Sequence, residues 1–369
     1  MVLPSINRQH YFGGIHTAVL IYQQLSRHFA ASRIVLVDSS PDEEALSRFA
    51  DHVCVPSDAT SAAPRQIVPF NDRYQKTLPV AAEDIWLATA WWTAYAAQRM
   101  STWQGENGGV DRPLVYLIQD FEPGFYAWSS QYALALSTYR PDRDIGVFNT
   151  GLLADFFARH DMRYVNRSVF EPVLHDGLRP ALAAARQRLE PRKRRIVVYA
   201  RPGTPRNAFE LICEGLRLWG WKDPRAAQWE VAAPGELEAD LDLGPFSLKA
   251  LGKLGIDAYA ALLSSSAVGL SLMVSPHPSY PPLEMAAFGM RVVTNRYDNK
   301  RLDDTTPNVV SLDAMTPEAI CSALVAQVDA CEGQGMAAGT IAGEAHPLLQ
   351  PGSFDRVADD VMDMLRLGA

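Results

Sequence analysis

Cysteine is scarce in this chain and follows no pairing pattern. Its four cysteines, Cys54, Cys213, Cys321 and Cys331, are scattered with no C-x-x-C pair, which excludes the common zinc and dithiol motifs and suits a reduced compartment. Long apolar runs are also missing. None approaches the ~18 residues a bilayer span needs, and no charged segment followed by an apolar one opens the sequence in the manner of a secretory signal. Basic excess is missing too: 34 Lys and Arg stand against 42 Asp and Glu, a net charge of −8, which argues against a nucleic-acid partner. There is no short-period repeat and no three-glycine dinucleotide fingerprint. What remains is a soluble, cytoplasmic protein, with peripheral contact to the inner face of the cell membrane left open.

The 369 residues exceed one typical core, and ~150 residues per domain predicts two or three domains. Short β-type runs alternate with helical periods. Strands are expected at 33–38, 85–89, 114–118 and 145–148, with helices at 15–29, 92–100 and 150–159. The texture changes at 176–195, ending in the charge-and-proline run Glu190-Pro191-Arg192-Lys193-Arg194-Arg195. That run reads as a solvated connector, or less readily as a basic patch for anionic lipid headgroups. Alternation then resumes, with strands at 196–200, 229–232, 268–274 and 291–295 and helices at 208–219, 257–265, 281–288, 316–330 and 353–367. This pattern predicts an α/β protein of two doubly wound units, 1–180 and 196–352, joined by a linker at 181–195. Ligands in such sheets bind outside the carboxyl ends of the strands, so two facing sheets would make an interdomain cleft.

The densest chemical signal is Tyr199-Ala200-Arg201-Pro202-Gly203-Thr204-Pro205-Arg206-Asn207-Ala208-Phe209-Glu210. An apolar strand stops at an arginine, a Pro/Gly/Pro turn brings a second arginine, and a helix begins with Asn207 as its N-cap candidate. Two guanidinium groups beside a helix amino terminus suit a diphosphate. The plainer alternative is that both arginines pair with surface carboxylates.

A second cluster runs from Ser271 to Gly289. A buried strand enters a loop stiffened by Pro276, Pro278, Pro281 and Pro282, followed by a helix. Each proline removes a backbone donor, so a phosphate here must use the remaining amides, chiefly those of Ser279, Tyr280, Leu283 and Glu284. His277 lies in the same loop. The Glu284 carboxylate, in the first helical turn, can accept hydrogen bonds from two sugar hydroxyls or can simply complement the helix dipole.

In the first half, Gly13-Gly14 precedes a helix and lets backbone approach a ligand closely, with His16 at the helix start. Gln119-Asp120-Phe121-Glu122-Pro123 follows a strand, so Asp120 or Glu122 could orient or deprotonate an acceptor hydroxyl, or serve turn chemistry only. Aromatic residues crowd this half, and Tyr126 and Trp128 are the ones expected to line a sugar platform. Asp142-Arg143-Asp144 and Asp240-Leu241-Asp242 match a D-x-D metal pattern, but their placement makes a metal site unexpected.

A strand ending in arginine, a basic residue five positions on, and a later strand–loop–helix carrying L-E-M-A-x-x-G resemble the nucleotide-binding half of GT-B glycosyltransferases of the GT4 type. More narrowly, I-Q-D-F-E-P at 118–123, R-P-x-T-P-R-N-A-F at 201–209 and S-P-H-P-S-Y-P-P-L-E-M-A at 275–286 resemble the WsaF-like rhamnosyltransferases. The resemblance implies a GT-B fold of two Rossmann-like domains, with a final helix at 353–369 packing back on the first. It implies a retaining transfer of L-rhamnose from dTDP-L-rhamnose to a bacterial cell-surface polysaccharide. It places Arg201 and Arg206 on the donor diphosphate and makes Glu284 the second glutamate of an E-x7-E pattern, which binds the nucleotide's sugar. The first glutamate of that pattern is replaced by Pro276.

The expected donor-binding set is therefore Gly13, Gly14, Arg201, Arg206, His277, Ser279, Tyr280, Leu283, Glu284 and Asn295, and the acceptor set is Asp120, Glu122, Tyr126 and Trp128. Asp120, Arg201 and Arg206 would carry catalysis. No cofactor and no metal are expected. The partners are a nucleotide-sugar donor and a glycan or lipid-linked glycan acceptor, with a homodimer left open. A non-catalytic sugar-nucleotide or glycan-binding subunit of a larger synthase is the alternative, and a sugar-nucleotide epimerase a weaker one.

Overall fold

A computed structural model describes residues 1–8, 11, 13–71, 77–188, 190–304, 306–350 and 352–367. The chain divides into two units, Met1–Glu171 with Gly352–Ala369, and Pro172–Pro351.

The first unit runs β1 (Val2–Leu3), α1 (Gly14–Ser26), β2 (Ser32–Leu36), α2 (Glu43–Arg48), β3 (Val53–Cys54), β4 (Arg65–Pro69), β5 (Leu87–Ala88), α3 (Trp91–Glu106), β6 (Val115–Ile118), α4 (Ser130–Ser137), β7 (Ile145–Asn149), α5 (Gly151–Arg159) and β8 (Asn166–Phe170). The strands lie in the order β3-β4-β2-β1-β5-β6-β7-β8, and their pairings are parallel. β6 and β7 are buried along their whole length, as expected of strands covered on both faces. Strand order reverses between β1 and β5, and in doubly wound sheets that reversal marks the ligand-binding crevice. The Gly13-Gly14 turn follows β1 and therefore stands at it.

The second unit runs α6 (Arg179–Ala185), β9 (Lys193–Val198), α7 (Phe209–Lys222), β10 (Glu230–Pro234), β11 (Leu241–Asp242), β12 (Ser247–Gly252), α8 (Ile256–Ser265), β13 (Ser266–Leu270), α9 (Tyr280–Ala287), β14 (Arg291–Asn295), β15 (Val309–Leu312) and α10 (Pro317–Gly333). Its order is β11-β12-β10-β9-β13-β14-β15, parallel except for the edge hairpin of β11 with β12. The reversal falls between β9 and β13. Ile196, Val198, Leu270 and Val293 meet Leu216, Trp219 and Leu324 in one core. α7 and α10 approach closely because residue 215 is glycine: a Cβ there would sit 2.5 Å from Cγ2 of Ile320.

The last helix, α11 (Phe354–Leu367), returns to the first unit. Val357, Val361 and Leu365, spaced i, i+4, i+8, are buried on its inner face. The Ser168 hydroxyl donates to Asp360 across 2.6 Å, tying the helix to β8.

The basic run expected to be solvated is not uniformly so. Arg192 is buried, and its guanidinium donates to the carbonyls of Leu263 (2.7 Å), Ser266 (3.4 Å) and Phe288 (2.5 Å). Burial pushes its pKa down to about 10. This arginine closes helix and strand ends inside the second unit, a task that composition alone does not announce.

Candidate functional site

Two loops meet at the reversal point of the second sheet. After β9, Tyr199 N–H still donates to Leu270 O and Ala200 N–H to Pro234 O, both at 3.1 Å. The chain then leaves the sheet at Arg201, turns through a short 3-10 segment at Pro205–Asn207, and enters α7. After β13 the second loop runs to Ser279 and α9. The loops are stitched together: Val274 N–H donates to Arg206 O at 2.7 Å, and Asn207 Nδ2 donates to Leu272 O at 3.1 Å. Asn207 is therefore not the N-cap of α7, as its residue type suggested. Ala208 holds that position with φ +49°, and Ser279, before α9, has φ +69°. Each left-handed non-glycine residue costs about 1–3 kcal/mol and concentrates at ligand-binding positions. Neither helix start has a side-chain cap, which leaves the first amides of α7 without an intrahelical partner, whereas in α9 Pro281 and Pro282 bring no donor.

The proline-stiffened loop is held by its own side chains. His277 N–H donates to Ser275 Oγ, and His277 Nδ1 accepts from Ser279 N–H, both at 3.0 Å. That bond engages the Ser279 amide, which the residue pattern offered to a phosphate. α9 opens with Tyr280 followed by Pro281 and Pro282, which carry no N–H. The amides of Leu283 and Glu284 lie past these positions, where they bond within the helix. Glu284 stands beyond the first turn, not in it. Asn295, expected at the nucleotide end, is fully buried instead. Its Oδ1 accepts from Met273 N–H (2.7 Å), while Nδ2 donates to Met273 O (3.0 Å) and Arg296 O (2.8 Å). Lys300, also fully buried, donates to the same Met273 carbonyl at 2.5 Å. Asn295 thus fixes the loop from behind.

Arg201 and Glu284 stand at the front. Arg201 Nε and Nη2 donate to Glu236 Oε1 at 3.1 and 2.9 Å, so the plainer alternative holds for one edge of this guanidinium. Glu284 accepts from the Tyr259 hydroxyl at 3.0 Å. Burial pushes its carboxyl up to about 7, against the pull of that hydrogen bond. Tyr259 is held well above the ordinary phenol range by its own burial and the neighbouring carboxylate. Sequence reasoning missed Glu236 and Tyr259. A Pro-Gly pair ending a strand was the available signal for the first; the second gave none.

In the first unit Gly13 has φ +48°, and a Cβ on Gly14 would sit 2.9 Å from Nε2 of Gln119, which donates to Gly14 O at 3.0 Å. The glycine turn and the post-β6 segment are therefore in direct contact. Asp120 is buried, with Oδ1 accepting from Phe121 N–H at 2.9 Å. Glu122 is also buried, and its carboxylate accepts from Trp91 N–H, capping α3. Its backbone N–H donates to Tyr139 OH at 3.1 Å. Glu122 is thus engaged in turn and cap chemistry. Tyr126 is half-buried and accepts from Trp91 Nε1 at 2.9 Å. Trp128 is 95% exposed.

Neither D-x-D run forms an open chelate. Asp144 is fully buried and held by Arg140 at 2.8 and 2.9 Å. Asp240 is taken by Lys249 and the Ala250 amide, and Asp242 by the Gly244 amide. Among the described residues no group of three or more His, Cys, Asp or Glu could hold a metal ion, and no helix is long and apolar enough to cross a membrane.

Comparison with known families places both halves. Residues 1–151 match the model "WsaF, N-terminal domain" and residues 194–325 the model "WsaF, C-terminal domain". The chain belongs to the WsaF family. A curated relative of this WsaF-family chain, the O-antigen biosynthesis protein RfbC of Myxococcus xanthus, is 31% identical over 293 residues. The match covers 78% of this chain but only 21% of RfbC, so the chain spans about one fifth of that relative's length. Among solved structures, Anabaena HepE in complex with UDP and glucose superposes with a TM-score of 0.60 at 12% identity, covering 99% of this chain and 98% of HepE. WaaG, a glycosyltransferase involved in lipopolysaccharide biosynthesis, gives 0.54 at 12% identity, covering 100% and 95%. The WsaF-family chain therefore has the GT-B fold, two Rossmann-like domains with parallel sheets.

Proposed function

We propose that this WsaF-family chain is a glycosyltransferase of cell-surface polysaccharide synthesis, transferring L-rhamnose from dTDP-L-rhamnose. The observation that carries the reading is the stitched pair of loops at the β9/β13 reversal point. There Arg201, Arg206, the helix starts of α7 and α9, and Glu284 share one sheet mouth. Such a mouth suits a nucleoside diphosphate: guanidinium groups and uncapped amides for the phosphates, and a carboxylate for ribose hydroxyls. As the nucleotide leaves, negative charge grows on the diphosphate, and the two arginines stabilise it. His277 and Asn295 hold the donor loop in shape, with Tyr280 supplying an amide. Gly13 and Gly14 admit the donor closely, and Asp120 addresses the acceptor hydroxyl. Tyr126 and Trp128 offer faces to the acceptor glycan.

With Pro276 where the family pattern has its first glutamate, one acceptor for sugar hydroxyls is lost, which suits a deoxysugar. The deciding experiment is transfer from dTDP-L-rhamnose set beside UDP-glucose, the donor class suggested by HepE. Rhamnosyl transfer with dTDP binding above UDP and GDP supports the reading. Tight nucleotide binding with neither transfer nor donor hydrolysis would instead identify a binding subunit, and preferred use of UDP-glucose would overturn the donor assignment.

A further inference from the structure

The partner of Arg201 is unusually well anchored. Glu236 lies two residues beyond β10, and its N–H donates to Ala200 O at 2.8 Å, the residue just before Arg201. Ala200 and Gly235 form an extra parallel bridge past the end of both strands, and Gly235 N–H donates to Gly252 O at 2.9 Å. Only glycine fits at 235: φ is +137°, and a Cβ would sit 2.0 Å from Ala200 O. Backbone close approach thus fixes where Glu236 stands relative to Arg201, before either side chain is considered.

Guanidinium carries five N–H donors in a planar fork. Glu236 takes the Nε and Nη2 donors through one oxygen. Nη1 and the second Nη2 hydrogen are not taken by Glu236. An arginine held along one edge keeps its plane fixed and offers its other edge to a ligand, without the ordering entropy a loose side chain would lose.

We propose that Glu236 is a positioning residue that orients Arg201 for the diphosphate of the donor, with Gly235 as the backbone device that sets it there. This rests on the reading of Arg201 as a diphosphate contact. It assigns Glu236 no contact with substrate.

The test is calorimetric binding of dTDP and of dTMP to the full chain carrying Glu236→Ala, Glu236→Gln, Glu236→Asp or Arg201→Ala. A positioning role predicts about tenfold weaker dTDP binding in Glu236→Ala, with dTMP binding unchanged and the thermal midpoint preserved. Glu236→Gln, which keeps an acceptor oxygen, should restore most of the loss. Glu236→Asp keeps the charge but is one methylene short from a fixed backbone. It should show the same selective loss, and it stands in should the alanine variant fail to fold. Unchanged or tighter dTDP binding in Glu236→Ala would make the carboxylate a bystander or a competitor of the ligand and overturn the inference. Equal losses for dTDP and dTMP would reduce it to general loop support and also overturn it. If Arg201→Ala binds dTDP like the parent, the diphosphate reading itself fails and takes this inference with it. Loss in Arg201→Ala without loss in Glu236→Ala overturns the inference alone.

Discussion

The Tyr259 hydroxyl donates to Glu284 Oε2 at 3.0 Å, joining α8 to α9. Burial sets the Glu284 carboxyl near 7 while Tyr259 holds one of its oxygens. A carboxyl that titrates near neutrality is the stronger acceptor for the proposed ribose hydroxyls in its ionised form, where neither oxygen carries a proton. Nucleotide binding should therefore strengthen by up to about tenfold from pH 6 to pH 8 relative to Glu284→Gln. Titrating both proteins with dTDP side by side removes the contribution of the phosphates' own protonation. A constant ratio across that range would show that Glu284 is not the group that matters.

The same group makes a stability prediction. Its folded pKa lies above its ordinary value of 4.5, so between about 4.5 and 7 the folded state binds more protons than the unfolded one. Stability contributed by this group accordingly falls as pH rises through that window, and the penalty is complete above 7. Glu284→Gln should be more stable than the parent at pH 8 by about 1–3 kcal/mol and no more stable at pH 4. Denaturant unfolding at the two pH values reads this directly.

On the proposed reading, alanine at Arg201 or Arg206 should leave the protein folded and lower kcat/KM by about 10² or more, since each would remove a charge-assisted contact to the leaving diphosphate. Folded variants that turn over donor at the parent rate would remove the basis of the proposed function.

Asn295→Ala should act through the loop. It leaves Met273 N–H and one hydrogen bond to Met273 O without their partner, and a buried unsatisfied group costs about 1–3 kcal/mol. The expected outcome is lower unfolding stability of that size together with weaker nucleotide binding. Normal stability with weakened binding would return Asn295 to direct ligand contact.

On the proposed reading the arginines would supply the charge that a metal would otherwise bring, so transfer is expected to survive EDTA. Asp144→Ala should be destabilising, since it strips Arg140 and the Leu114 amide of a buried partner, without altering the response to Mg²⁺. Abolition by EDTA with recovery on adding Mg²⁺ would contradict the metal-free mechanism.

Much of the architecture was legible from local pattern. β14 falls at 291–295, where its apolar run placed it, and α1, α5, α7, α8, α10 and α11 lie within a few residues of their expected spans. β4, β8 and β15 were not foreseen. β8 opens with exposed Asn166 and Arg167, and β15 alternates too briefly to stand out from the loop that carries it. These segments become strands because a neighbouring strand offers them a ladder. The site divides in the same way. Arg201 and Arg206 stand between a strand end and a helix start because turn residues put them there, and Glu284 lies within the helix that follows the second loop. Glu122 could not be told from an acceptor residue by spacing, for its partner Trp91 lies 31 positions earlier.

By itself the sequence determined the alternation of strands and helices, the turns that end them, and the residue types offered at the sheet mouths. Those depend on interactions within a few positions along the chain. Only the tertiary structure decided which groups are already engaged: Ser279 by His277, Asn295 by Met273, and Arg201 by a glutamate 35 residues away. Strand order and the close approach of Gly235 to Ala200 bring that last pair together, and in a parallel sheet such neighbours are set by the packing of the crossovers between them.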